Sequence, residues 1–384
     1  MVKKAQSSRG GASKGAAKES SKKGKSSNNG APGSKARAQP AEAIENHLVS
    51  ADTQLELRTQ QLLLDLFART FSKELADSNL DATLQIIKGA LYSRDFEAAF
   101  STESHLASYA CRWSPTRSLC YASIIEGLRS HLGDFNLGVP EELGDAAEGE
   151  NSRCPSRPLR MLSIGGGAAE LAAFSTLLMH KSMGSTEIVL VDSGPWASVV
   201  GRLYDTLTTC TARQISKYTK HPDDVDARPV VAADSMPLTF SQVDVLSIDK
   251  AQLAQLVGDR PLLITILFTL NELYTSGGIG KTTTFLLNLS SSVPIGTLLL
   301  VVDSPGSYSE TGVGAQARKY PMQWLLHHTL SKSLEDIWER IETSESTWFR
   351  LNDTLTYPIP LENMRYQLHL YRLVRSPDEK HTPE

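Results

Sequence analysis

The sequence predicts an α/β protein: an open, mostly parallel sheet with helices on both faces, preceded by an all-helical region. Three observations carry this. The apolar run Met161–Ile164 passes at once into Gly165-Gly166-Gly167 and then into a helical stretch, Ala168–Leu178. After that turn, short apolar runs alternate with helical patterns. Before it, from Leu55 to Leu132, apolar residues recur at helical spacing.

Charge divides the chain further. Residues 1–37 hold ten Lys/Arg against a single acid, Glu19, which leaves 29 basic and 42 acidic side chains for the rest. A tail rich in Lys, Ser, Gly and Ala lacks the apolar residues that offset ordering entropy, so residues 1–50 are expected to be a disordered basic tail. Such arms bind nucleic acid, act as nuclear import signals, or simply solubilise. Residues 51–132 form the helical region, and residues 133–157 an acidic loop or linker. Residues 158–376 form the α/β body, and residues 377–384 a short C-terminal tail. No apolar segment follows Met1, and the longest apolar runs are too short to span a bilayer. Cys111, Cys120, Cys154 and Cys210 show neither CxxC pairing nor zinc spacing with His. Reduced thiols, no metal and an intracellular location, nuclear, nucleolar or cytoplasmic, are the expectation.

The helical region opens with Leu63, Leu66, Phe67, Phe71 and Leu75 on one face, and a second helix fits Asp81–Tyr92. Shorter helices start after the capping residues Asp95 and Thr102. Ser114-Pro115 reads as an N-cap followed by a first-position proline. The helix it opens buries Tyr121, Ile124, Ile125, Leu128 and Leu132, with Arg117 on the same face. An arginine at the edge of a buried stripe needs a partner. Either it forms a salt bridge, or Arg112, Trp113, Arg117 and Tyr121 line a cleft suited to phosphate contacts and base stacking.

In the body, strands are expected at Glu187–Val191, Pro229–Ala233, Leu262–Phe268 and Thr297–Val302. Helices are expected at Ser193–Leu207, Lys250–Val257 (capped by Asp249) and Lys281–Leu289. Tyr320–Leu330 and Leu334–Ile341 read as one or two helices. Thr347–Leu351 and Tyr366–Val374 alternate with strand period and read as a closing antiparallel pair. Gly165–Gly167, Asp192, Asp234, Asn271 and Asp303 all follow expected strands. In such sheets ligands bind at the carboxyl ends of the strands.

The glycine run is not a dinucleotide fingerprint, because Glu170 stands where the last glycine of GxGxxG belongs. It suits a ligand that needs one close backbone approach and no pyrophosphate cradle. S-adenosylmethionine, a nucleoside with a sulfonium and an amino acid tail, is such a ligand. Gly165, Gly166, Gly167 and Glu170 form the turn. Asp192, with Ser193 beside it, would accept from the ribose hydroxyls, and Asp234 from the adenine amino group. Each Asp has a plainer role as a helix cap or loop acid, and Asp244 and Asp249 compete with Asp234. Asn271 and Glu272 sit where a methyl donor's reactive centre would lie and could hold or deprotonate the accepting atom; otherwise they cap a helix. A rival motif, Gly277-Gly278-Ile279-Gly280-Lys281-Thr282-Thr283, looks like a deviant P-loop with Asp303 as its second acid. However, Thr275 replaces the glycine five before Gly280, and eight residues separate it from Phe268.

Four blocks occur in order: Arg112-Trp113-Ser114-Pro115-Thr116-Arg117, Leu162-Ser163-Ile164-Gly165-Gly166-Gly167, Phe268-Thr269-Leu270-Asn271-Glu272-Leu273 and Asp303-Ser304-Pro305-Gly306-Ser307-Tyr308. Together they resemble the fungal 25S rRNA (uridine-N3)-methyltransferase family, from about Leu55 to Arg375. The resemblance implies a Rossmann-like class I methyltransferase fold, with a seven-stranded, mostly parallel sheet whose last strand is antiparallel. It also implies S-adenosylmethionine as donor and large-subunit rRNA as substrate. Glu272 would then take the proton from uracil N3, Trp113 and Tyr121 would stack the base, and Arg112, Arg117 and the tail would hold phosphates. Methylation of a protein or small molecule, or nucleotide binding through the P-loop-like segment, remain the alternatives.

Overall fold

The computed structural model describes residues 55–132, 158–179, 185–209, 229–306, 308–311, 318–334 and 337–376. The basic tail, the acidic 133–157 segment, residues 377–384, Cys154 and Cys210 lie outside the described residues.

The helical region comprises α1 (Leu57–Thr70), α2 (Ser72–Leu75), α3 (Leu80–Tyr92), α4 (Phe96–Phe100), α5 (Glu103–Arg112), α6 (Ser114–Gly127) and α7 (Arg129–Leu132). Asp95 and Thr102 cap as their residue types dictate, accepting from the N–H groups of Ala98 and His105. The start of α6 moves by one residue. Trp113 already has helical backbone, donates to Tyr109 O and accepts from Arg117 N, so Ser114 lies inside the helix and caps nothing.

The body follows as β1 (Leu159–Ile164), α8 (Ala168–Met179), β2 (Thr186–Asp192), α9 (Ala197–Thr208), β3 (Leu238–Gln242), α10 (Lys250–Val257), β4 (Leu263–Leu267), α11 (Leu270–Ser276), α12 (Gly278–Ser290) and β5 (Leu298–Asp303). A hairpin of β6 (Tyr308–Thr311) and β7 (Arg318–Pro321), then α13 (Met322–Ser331), β8 (Trp338–Phe349) and β9 (Met364–Leu373), complete it. Seven strands form one sheet in the order β3-β2-β1-β4-β5-β9-β8, with β9 antiparallel to both neighbours.

Three expectations are corrected. Pro229–Ala233 is not the third strand; β3 starts at Leu238 and pairs with β2. Leu334–Ile341 is not helical, because β8 begins at Trp338 and pairs with Leu373. Tyr320 belongs to β7 rather than to the helix that follows.

The helical region has no core of its own. Leu63, Phe67, Leu106, Tyr121 and Ile125 share one buried cluster with Leu159, Met161, Leu190 and Leu300 on one face of the sheet, together with α8 and α9. The alternate residues, Leu162, Ile164, Val191 and Val301, face α10, α11, α12 and α13. This alternation is the period of two expected of strands buried on both faces. Among the described residues no helix is long and apolar enough to cross a membrane.

At the end of β1 the chain turns at Gly165, whose φ is +72°. Its N–H donates to Val191 O at 2.7 Å, which ties the turn to β2. A Cβ here would lie 2.1 Å from Thr269 Oγ1, so the position excludes a side chain twice, by conformation and by space. Gly165→Ala is therefore expected to destabilise the fold by about 2–4 kcal/mol in chemical denaturation. Pairing it with Thr269→Ala should recover part of that loss, and no recovery would remove the steric contribution.

Candidate active site

The pocket at the carboxyl edge is walled by the ends of β1, β2 and β4 and by α5 and α6. Gly165, Gly167, Glu170, Asp192, Phe268, Thr269 and Glu272 come from the sheet side, and Tyr109, Ser114 and Arg117 from the helices. Residues far apart in sequence thus meet where a doubly wound sheet places ligands.

Glu170 is the third residue of α8. Its carboxylate reaches back to the Gly167 N–H at 2.8 Å, half of a capping box with glycine at the cap. It therefore occupies the positive end of α8, where a dinucleotide would place its pyrophosphate. Asp192 ends β2 and accepts from Gly194 N–H at 2.6 Å through Oδ1. Its Oδ2 makes no hydrogen bond within the described residues. Asp303 ends β5 and accepts from the N–H groups of Asn271 and Ser304, which fixes the first turn of α11 against β5. Glu272 lies in that turn.

Burial raises all four acids. Glu170 is pushed up to about 7 despite its bond from Gly167, and Asp192 to about 6. Asp303 rises to about 6, and Glu272 to about 8, where the charge of Asp192 adds to the burial. The cation among them is Arg117. Its guanidinium lies 5.4 Å from the Tyr109 ring and 4.9 Å from the Phe268 ring, sandwiched between two aromatic faces. Burial alone would lower it, but the facing groups of Tyr109, Tyr121, Glu170 and Glu272 outweigh that and hold it protonated. Phe268 has φ +57°, a left-handed backbone rare for an aromatic residue, and donates to Val302 O. This strain aims its ring into the pocket beside Tyr121 and Arg117.

Other residues singled out from sequence fall elsewhere. Asp234 is corrected: it lies in a single turn, Ala233–Ser235, that precedes β3, at the amino edge of the sheet. The acid that follows β3 is Asp244, next to Val243, whose N–H donates to Asp192 O. Ser193 lends its carbonyl to Gln242 Nε2 at 3.2 Å. Tyr121 is 1% exposed and cannot present a face to a base. Trp113 is half-buried against Tyr109, and Arg112 is held by Glu362 at 2.7 Å. Of Arg112, Trp113, Arg117 and Tyr121, Arg117 alone lines the pocket, with Ser114 beside it. Gly278 to Thr283 lie within α12, so the P-loop-like segment forms no phosphate cradle.

Sequence reasoning missed Trp196, Phe100 and Thr269. Trp196 lies on the glycine turn, where a Cβ on Gly167 would meet its ring at 3.2 Å. It packs with Phe100 and Tyr109. Its place shortly after β2 was the available signal.

Three carboxylates lining the pocket against one guanidinium suit a ligand with positive charge and one carboxylate of its own. S-adenosylmethionine has that composition: a sulfonium and an ammonium for the acids, a carboxylate for Arg117, a ribose for Asp192. The residues fit it. Among the described residues no cluster of metal ligands appears.

Comparison with known proteins agrees. Residues 67–372 match a family described as SAM-dependent methyltransferases, SAM being S-adenosylmethionine. The chain is 30% identical over 343 residues, 81% of its length and 85% of the relative's, to the 25S rRNA (uridine(2843)-N(3))-methyltransferase of Saccharomyces cerevisiae. Among solved structures, an N-methyltransferase of Bradyrhizobium japonicum with S-adenosylhomocysteine is 14% identical, with a TM-score of 0.27 over 56% of this chain and 78% of that one. A 16S rRNA (adenine(1408)-N(1))-methyltransferase of Catenulisporales acidiphilia is 11% identical, with a TM-score of 0.31 over 57% and 89%. Both structural likenesses are weak, and the family rests on the sequence matches. The chain belongs to the SAM-dependent methyltransferases, with SAM as its donor.

The raised acids set a pH dependence. Glu272 moves from 4.5 to about 8, so between those values the folded protein binds more protons than the unfolded chain. Stability therefore falls as pH rises through that window. Glu272→Gln should flatten the fall and exceed the wild type in thermal stability above about pH 8. Melting curves from acid to alkaline pH check this, and parallel profiles for both proteins would show Glu272 to be solvated.

Proposed function

We propose that the chain transfers a methyl group from SAM to N3 of a uridine in large-subunit, 25S rRNA. The observation that carries the substrate is the extended likeness to the yeast enzyme of that activity. The geometry supports the reaction at one atom. Bound SAM supplies an electrophilic methyl on a sulfonium. Uracil N3 carries a weakly acidic proton that must leave as the new bond forms. Glu272, in the first turn after β4, is a carboxylate raised to about 8, close to working pH and so matched to accept it. Asn271 is fixed beside it through Asp303, and its side-chain Oδ1 is buried without a hydrogen-bond partner. That orphan acceptor is available to orient the base.

In this scheme Gly165 and Gly167 admit the amino acid part of the donor, and Arg117 pairs with its carboxylate. Asp192 takes the ribose hydroxyls, and the Val243–Asp244 segment replaces Asp234 at the adenine. Catalysis is then mainly positioning of nitrogen, carbon and sulfur in line. The enzyme acts in the nucleus or nucleolus on assembling large subunits, and residues 1–40 add phosphate contacts.

Asp192→Ala should weaken SAM binding about 10- to 100-fold by calorimetry, the loss of a charged hydrogen-bond acceptor. An unchanged affinity removes Asp192 from the site. Glu272→Gln should lower methyl transfer to 25S rRNA about 100-fold or more, and the wild-type rate should rise with pH up to about 8 as Glu272 ionises. Nucleoside analysis of labelled 25S rRNA should find 3-methyluridine. Label in protein or in another nucleoside would reassign the substrate.

A further inference from the structure

The block expected to grip RNA is buried or already paired, so the RNA must be held elsewhere. Strand β9 runs back along β5, and Gln367 pairs with Asp303 at the carboxyl edge. The strand does not start there. Arg365 lies two residues earlier on the same face, about 7 Å beyond the edge. Its partner in register is Trp348 of β8. Trp348 is 52% exposed, a high value for the largest side chain. The Arg350 guanidinium lies 5.4 Å from its ring centroid and that of Arg365 5.9 Å. Both arginines are exposed, and neither makes an ion pair with a carboxylate of the described residues. Arg365 is instead held by Ser346 Oγ at 2.7 Å.

We propose that this overhanging end of the β8–β9 pair is a platform for single-stranded RNA next to the methylated nucleotide. The inference rests on the rRNA function above. An unpaired base stacks on the exposed part of the Trp348 ring, and the flanking phosphates pair with Arg350 and Arg365. Two features favour RNA over a protein partner. Two cations lie against one exposed aromatic ring, the combination that stacks a base and neutralises its backbone. The platform also shares its face of the sheet with Asp303, and through Asp303 with Asn271, so a strand lying on it leads to the reacting centre. On that face Trp324 of α13 is a second exposed ring, 47% accessible, stacked on Tyr320.

The test uses the full-length protein with an oligouridylate of about 12 nucleotides, near the usual single-strand site size. Trp348→Ala should weaken its binding about fivefold or more, and Trp348→Phe should keep most of it. Arg350→Gln should reduce the salt dependence by roughly 0.7 in log–log slope, one phosphate contact on a single strand. Each should raise KM for 25S rRNA while leaving SAM affinity, and kcat at saturating RNA, unchanged. If the wild type methylates rRNA and Trp348→Ala matches it in oligouridylate affinity and in KM, the platform is overturned. If the wild type neither binds oligouridylate nor methylates rRNA, the function itself fails, and the platform with it.

Discussion

One guanidinium holds the site together. Arg117 stands among Glu170, Glu272 and Asp192, between the rings of Tyr109 and Phe268. Without it the acids would be a cluster of like charges in a poorly solvated pocket, where even now each is pushed toward its neutral form. The cation comes from α6 and the acids from the sheet. The helical region therefore cannot be an accessory to a complete catalytic domain. It delivers the counter-charge, and the packing of α6 on α8 fixes where that charge sits. This explains why Leu63, Phe67 and Ile125 share a core with β1 and β5 rather than forming one of their own.

Much of this was legible in the sequence, for definite reasons. The glycine turn was visible because only glycine tolerates both a φ of +72° and the contact with Thr269. Central strands were visible because burial on both faces makes them continuous apolar runs. The cap at Asp249 was visible because it forms a full capping box with Gln252. The edges were not. β3, Leu-Thr-Phe-Ser-Gln, is an edge strand with no fully buried residue, so Pro229–Ala233 looked the better strand. β8, the other edge, is mostly polar and is interrupted by two register shifts that break its alternation. Misplacing β3 led the expected adenine contact to be put at Asp234, which lies at the amino edge of the sheet. For the Arg112–Arg117 block, sequence showed the residue types but not the depth. Aromatics and arginines attract attention equally as core, as ion pairs and as ligand contacts, and only packing separates Tyr121, Arg112 and Arg117.

The two halves of the carboxyl edge are built differently, and topology explains why. β1, β2 and β4 are parallel, so each must end at the edge and hand the chain to a crossover helix. Their contribution is turns, caps and the acids just past the strand ends, which suits a small donor held closely. β9 is antiparallel and joined to β8 directly, so neither strand has to stop at the edge. At 10 and 12 residues they outrun the five to seven of the parallel strands, and the excess at one end projects past Asp303. A parallel strand could not do this without leaving unpaired backbone groups, whereas here each strand satisfies the other. The overhang gives the edge a projecting surface beyond Asp303, on which Trp348, Arg350 and Arg365 are exposed.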